Sequence, residues 1–135
     1  EAGLWRLISD GLKTSGRKIE TTRLESWALP GVPDVLLFSE SGVFSFLELK
    51  VTKGRANKIN LSPHQCSWLS RHSGGPVFIV VRDSSLDISV YSGADAVALR
   101  MDSVAAVEAL SVFKEPYDWE AFFRLTVREF VGSGY

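Results

Sequence analysis

One cysteine, Cys66, and two histidines, His64 and His72, are all that the 135 residues offer in thiol and imidazole groups. A lone thiol builds neither a disulfide framework nor a four-thiolate zinc site. The two histidines are spaced too far apart for a helical ligand pair, so zinc-hydrolase and HNH-type chemistry is poorly supported. Also missing is any apolar run near the ~18 residues that a membrane helix needs. The opening stretch, EAGLWRLISDGLK, is amphipathic rather than signal-like, and a cytoplasmic setting is expected. The chain does not begin with Met, so a short N-terminal piece is expected before it. Internal repeats, linkers and low-complexity segments are absent too. Hydrophobic residues make up 45% and charged residues 23%, average globular usage, so a single domain over residues 1–135 is expected.

One further absence is local. No acid occurs from Leu49 to Arg82, while Lys50, Lys53, Arg55, Lys58, Arg71 and Arg82 give that stretch a charge of +6; the whole chain carries −1. A solvated loop is the plain reading of such a tract, and nucleic-acid binding is the alternative.

What is present reads as an α/β pattern. Leu4, Leu7, Ile8 and Leu12 fall at helical spacing and predict an amphipathic helix over residues 2–14, closed near Gly16. KIETTRLESW (residues 18–27) suggests a strand, and VPDVLLF and VFSFLELKV suggest two more around the turn SESG. LSPHQCSWLSRH predicts a helix with Ser62 as N-cap, Pro63 in the first position and Gln65 closing a capping box. PVFIVVR has the continuous apolar character of a central strand, and LDISVYS alternates as a more exposed one. A short helix is expected over residues 102–111. Another should place Trp119, Phe122, Phe123, Val127, Phe130 and Val131 on one face before Gly132. That stripe and Trp68 read most simply as core, although an exposed part of the last helix would suit a dimer contact. The expected architecture is a mixed sheet of about four to five strands flanked by helices on both faces, with a core over about 1–92 and C-terminal helices over about 102–132.

Two acids stand out within the central strands. A three-residue loop Glu40-Ser41-Gly42, with Gly42 in the left-handed position, pairs Ser39 with Val43. Counting outward then sets Asp34 opposite Glu48. Lys50 shares that face, while Leu47, Leu49 and Val51 point to the other. Directly opposed residues have Cβ atoms about 5 Å apart, and like charges so placed are destabilising unless something compensates. One solution is structural: Asp34 caps the turn after Pro33, and Glu48 pairs with Lys50 or Arg23. The other is a divalent cation, for which hard oxygen ligands on a rigid sheet suit Mg²⁺ or Mn²⁺.

The pattern Pro33-Asp34 followed by Glu48-Leu49-Lys50 resembles the signature of the PD-(D/E)xK nuclease superfamily. RLESWALPGVPDVLLF, FLELK, LSPHQCSWL and GGPVFIVVR are similar to its small VRR-NUC-type, phage-like branch, related to Holliday-junction resolvases. The resemblance covers roughly residues 1–92 and implies a restriction-endonuclease-like core. It also implies that Asp34, Glu48 and the Leu49 main-chain carbonyl hold a metal ion and that Lys50 orients or activates the attacking water. Gln65, matching the family's glutamine on the following helix, would join the catalytic set by positioning it, with its capping-box role an equal explanation. Glu1 matches a glutamate often found on the first helix, where favourable charge at a helix N-terminus is the alternative. Glu25 matches a recurrent glutamate of the phage-like branch, or pairs with Arg23; Glu20 is expected to be solvated.

The implied activity is Mg²⁺- or Mn²⁺-dependent hydrolysis of DNA phosphodiesters, selective for branched structure rather than sequence. Lys53, Arg55 and Lys58 would contact the backbone from a flexible loop, and Arg23 and Lys18 would extend the footprint. His64 and His72 are expected on the surface or facing DNA. Symmetric junction resolution needs two sites, hence a homodimer for that substrate, and the phage-like resemblance allows a phage-encoded enzyme acting in a host cell. The competing readings are a non-catalytic nucleic-acid-binding module on the same fold and a purely structural acid-lysine network in a protein-interaction domain.

Overall fold

The computed structural model describes residues 2–24 and 29–128. Helix α1 (Ala2–Ser15) buries Leu4, Ile8 and Gly11 along one face and stops at Gly16, whose φ of +71° suits a residue without Cβ. Gly11 is small for a packing reason: a Cβ there would collide with the ring of Trp119 on helix α4 (Trp119–Thr126).

The strands are β1 (Ile19–Arg23), β2 (Val35–Ser39), β3 (Phe44–Val51), β4 (Val77–Arg82), β5 (Ile88–Ser92) and β6 (Ser111–Phe113). They form one mixed sheet in sequential order, antiparallel throughout except for β3 and β4, which run parallel. That parallel step needs a crossover, supplied by α2 (Pro63–Arg71). Val77–Val81 of β4 is buried on both faces, as its continuous apolar run requires.

Alternation along the strands builds two cores. Val35, Leu37, Leu47, Leu49, Phe78, Val80, Ile88 and Val90 meet α1 and α4 on one face. Ile79, Val81 and Tyr91 meet α2 and α3 (Ala96–Met101) on the other. The second cover is partial: no residue of β1 or β2 belongs to that core cluster.

The sheet has six strands rather than four or five. The extra strand, β6, is only three residues long and carries no readable period. It lies at the end of the segment expected as a helix over 102–111. The helix falls earlier, at α3, behind a 3₁₀ turn over Gly93–Asp95 that Ser92 caps, and Val104–Ala106 forms another 3₁₀ turn. β5 is less exposed than expected, because β6 pairs with its outer edge and its side chains enter both cores. Val51, expected on the same side as Leu47 and Leu49, is 36% exposed at the end of β3. Trp119, Phe122, Phe123 and Val127 do enter the core, whereas Phe130 and Val131 lie outside the described residues. No helix among the described residues is long and apolar enough to cross a membrane.

Candidate active site

The hairpin between β2 and β3 sets the register of the site. Gly42 takes φ +88°, its N–H donates to the Ser39 carbonyl at 2.9 Å, and Ser39 N–H donates to Val43 at 2.9 Å. The ladder then pairs Phe38 with Phe44, Leu36 with Phe46 and Val35 with Leu47. One step further, Asp34 stands opposite Glu48. Bonded and non-bonded pairs alternate along an antiparallel ladder, so 34 and 48 fall on the non-bonded kind, where side chains come closest.

The next step is interrupted by Pro33. Leu49 points its N–H and C=O towards β2, where Pro33 has no N–H to offer. The Leu49 N–H instead donates to Asp34 Oδ2 at 2.8 Å. The Leu49 carbonyl, on the same side of the strand as its N–H, is left without a backbone donor from Pro33.

Glu48 is 1% exposed, beside Ile79 on the face covered by α2. Its Oε2 accepts from Gln65 Nε2 at 3.2 Å and lies 3.5 Å from Lys50 Nζ, while its Oε1 is buried without a hydrogen-bond partner. Burial first, then the charge of Asp34, pushes its carboxyl up to about 9, against the opposing pull of Lys50. The site costs stability in the metal-free chain and is set for a positive charge.

Gln65 links this acid to the helix behind it. Its Oε1 accepts from Lys50 Nζ at 3.2 Å and from Ser62 N–H at 2.9 Å, and its own N–H donates to Ser62 Oγ at 3.1 Å. The capping box and the positioning of the lysine are therefore one arrangement, not alternatives.

A cation fits this donor set. Two carboxylates lie close enough for the charge of Asp34 to act on Glu48, one Glu48 oxygen is buried without a partner, and the Leu49 carbonyl points towards β2, the strand that Asp34 precedes. Among the described residues no group of three His, Cys, Asp or Glu side chains converges. Glu1 and Glu25 lie outside the described residues.

The basic residues divide. Lys53, Arg55 and Lys58 leave the end of β3 on an exposed turn. Hydrogen bonds close this turn: Lys53 N–H donates to the Lys58 carbonyl at 2.9 Å, and Val104 N–H donates to the Asn57 carbonyl at 3.0 Å. Arg23 is a correction. It pairs with Val35, whose side chain lies in the α1 core, and its guanidinium sits 5.5 Å over the Trp5 ring, so it belongs to the opposite face of the sheet from Glu48. That placement also excludes a Glu48–Arg23 ion pair. Lys18, Glu20, His64 and His72 are exposed, and His72 stacks on Trp68 at 3.8 Å.

Sequence reasoning missed Gly31. Its φ is +94°, and a Cβ there would strike the backbone of His64 at the start of α2. The loop that delivers Asp34 is thus seated against the helix that delivers Gln65. The signal in the sequence is the glycine within LPGVPD, which by itself reads as a simple turn.

No protein-family model matches this sequence, and no curated protein sequence matches it. Among solved structures, it is similar to the Holliday junction resolvase Hjc of the archaeal hyperthermophile Archaeoglobus fulgidus, at 14% identity and a TM-score of 0.49. The match covers 69% of this chain and 77% of that one. The reading of the site rests on its own geometry.

Proposed function

We propose that this chain is a metal-dependent DNA endonuclease of the PD-(D/E)xK type. The observation that carries the reading is the buried Glu48 Oε1, without a hydrogen-bond partner, on a carboxyl that feels the charge of Asp34 and whose other oxygen lies 3.5 Å from Lys50 Nζ. Asp34, Glu48 and the Leu49 main-chain carbonyl would hold Mg²⁺ or Mn²⁺. A bound divalent ion supplies Lewis acidity and lowers the pKa of water.

The rest falls to the chain. A water oxygen attacks phosphorus, one bridging P–O bond breaks, and the leaving oxygen takes a proton. Lys50, its ammonium held by Gln65, places positive charge where the phosphoryl oxygens gain negative charge. Lys53, Arg55 and Lys58 lie just beyond β3, where backbone phosphates would pass, and they favour shape over sequence. The finer reading is a VRR-NUC-type enzyme acting on branched or junction DNA, as a homodimer where two symmetric cuts are made.

Incubation with Mg²⁺ or Mn²⁺ and a panel of duplex, flap, single-stranded and four-way DNA tests this. Cleavage is expected for the wild type and should vanish in Lys50→Ala, Asp34→Ala and Glu48→Ala with folding retained. Metal-independent cleavage, or cleavage surviving in Lys50→Ala, would overturn it. The count of two converging carboxylates among the described residues favours a second reading, a non-catalytic nucleic-acid-binding module; it predicts DNA binding with no metal-dependent cutting.

A further inference from the structure

Phe38 and Phe44 form a cross-strand pair with ring centroids 4.5 Å apart at 39°, yet they are 36% and 53% exposed. Every other large exposed apolar side chain among the described residues is non-aromatic. Side chains alternate along β3, so Phe44, Phe46, Glu48 and Lys50 share one face, and the Phe pair lies on the same surface as the acid pair. Phe46 and Trp68, with ring centroids 5.4 Å apart, line the way between them. On this face β1 and β2 lie outside the core that α2 and α3 cover.

Beside Phe38 lies a shallow, open cleft of about 400 Å³ lined by Lys18, Ile19, Glu20, Phe38, Ser39 and Glu40. Two carboxylates on its lining repel a phosphate. A flat neutral ring with amino and carbonyl groups on its edge suits the aromatic wall and the mixed lining of Lys18, Glu20 and Glu40.

We infer that the Phe38–Phe44 pair and its cleft hold an unpaired nucleobase of the DNA strand running to the Asp34–Glu48 site. This deepens the nuclease reading and rests on it. Phe44 and Glu48 are four residue steps apart, about 14 Å along a strand. That span equals about four stacked nucleotides at roughly 3.4 Å each, fewer if the strand is stretched. Base stacking on aromatic side chains tolerates any sequence, so the platform selects DNA that has an unpaired segment beside the cut.

The test uses the full chain in EDTA, so that binding is read without cleavage. Flap DNA carries 2-aminopurine at successive positions from the branch, and fully paired duplex is the control. A position-dependent fluorescence change is expected two to four nucleotides from the branch on the single-stranded arm. The Phe38→Leu/Phe44→Leu double variant, apolar but unable to stack, should lose that change and about 10-fold in flap affinity while binding duplex unchanged. A thermal melt and gel filtration establish that the variant keeps its fold and oligomeric state. The inference is overturned if the double variant binds flap DNA as the wild type does, if no labelled position responds, or if the loss follows disruption of a dimer. A chain that stacks the base but never cuts with metal would sink the nuclease reading alone, and one that cuts without stacking would sink only this inference.

Discussion

Gln65 donates to Glu48 through its Nε2 at 3.2 Å and accepts from Lys50 through its Oε1 at 3.2 Å, so one amide holds the acid and the lysine together. The same Oε1 closes the capping box of α2. Helix stability and site geometry therefore separate by substitution. Ser62→Ala removes only the cap hydroxyl and should cost about 1 kcal/mol of stability with little effect on cleavage. Gln65→Ala removes both functions and should lower the single-turnover rate roughly 10- to 100-fold for a similar loss of stability. Equal activity in the two variants would show that Gln65 only caps the helix.

Glu48 makes the metal-free protein sensitive to pH in a direction opposite to that of an ordinary salt-bridged acid. Its folded-state value is pushed up to about 9 from 4.5, so between those limits the native state keeps a proton that the unfolded chain releases. Stability should fall as pH rises from about 5 towards 9, and Glu48→Gln should flatten that slope and raise the melting temperature near neutral pH. Urea melts in EDTA at pH 5, 7 and 9 measure it. A wild-type curve that rises with pH across this window would show that the acid is not held protonated.

Divalent metal should reverse that penalty. Saturating Mn²⁺ is expected to raise the melting temperature of the wild type by several degrees and to leave Glu48→Gln nearly unmoved, since binding to the native state alone adds stability by mass action. A titration with no shift in either protein would argue for the binding-module reading.

Gly31 is the position least able to accept a side chain near the site. Gly31→Ala combines a left-handed φ of +94° with a clash against the His64 backbone, so it should cost about 1–3 kcal/mol and weaken metal binding by displacing Asp34. Gly42→Ala is the control. It is also left-handed but has open space around it, and it should cost stability without changing metal affinity.

Lys53, Arg55 and Lys58 should act together and Arg23 apart from them. Replacing the three by Ala should reduce the slope of log affinity against log salt by up to about 3 on duplex DNA, whereas Arg23→Ala, on the Trp5 side of the sheet, should leave it unchanged.

The acid pair was legible because Gly42 and a three-residue loop fix the hairpin register, and a strand's period of two carries that register to residues 34 and 48. The cap of α2 was legible because SPHQ is a local signal. The face occupied by Arg23 was not legible, because the long connection between β1 and β2 does not fix their register as a three-residue hairpin loop does. Strand β6 and the true position of α3 escaped for a related reason: three residues cannot show a period, and the 3₁₀ turns on either side follow no hydrophobic repeat. Gly31 needed tertiary structure, since only α2 explains why nothing larger fits.

Asp34, Glu48, Leu49, Lys50 and Gln65 all come from one uninterrupted piece of polypeptide. The exposed Ser84–Ser85 turn and the connection from α3 to β6 lie beyond it. Insertions there would reshape what the molecule docks against while the reacting groups travel on intact, inherited as a cassette.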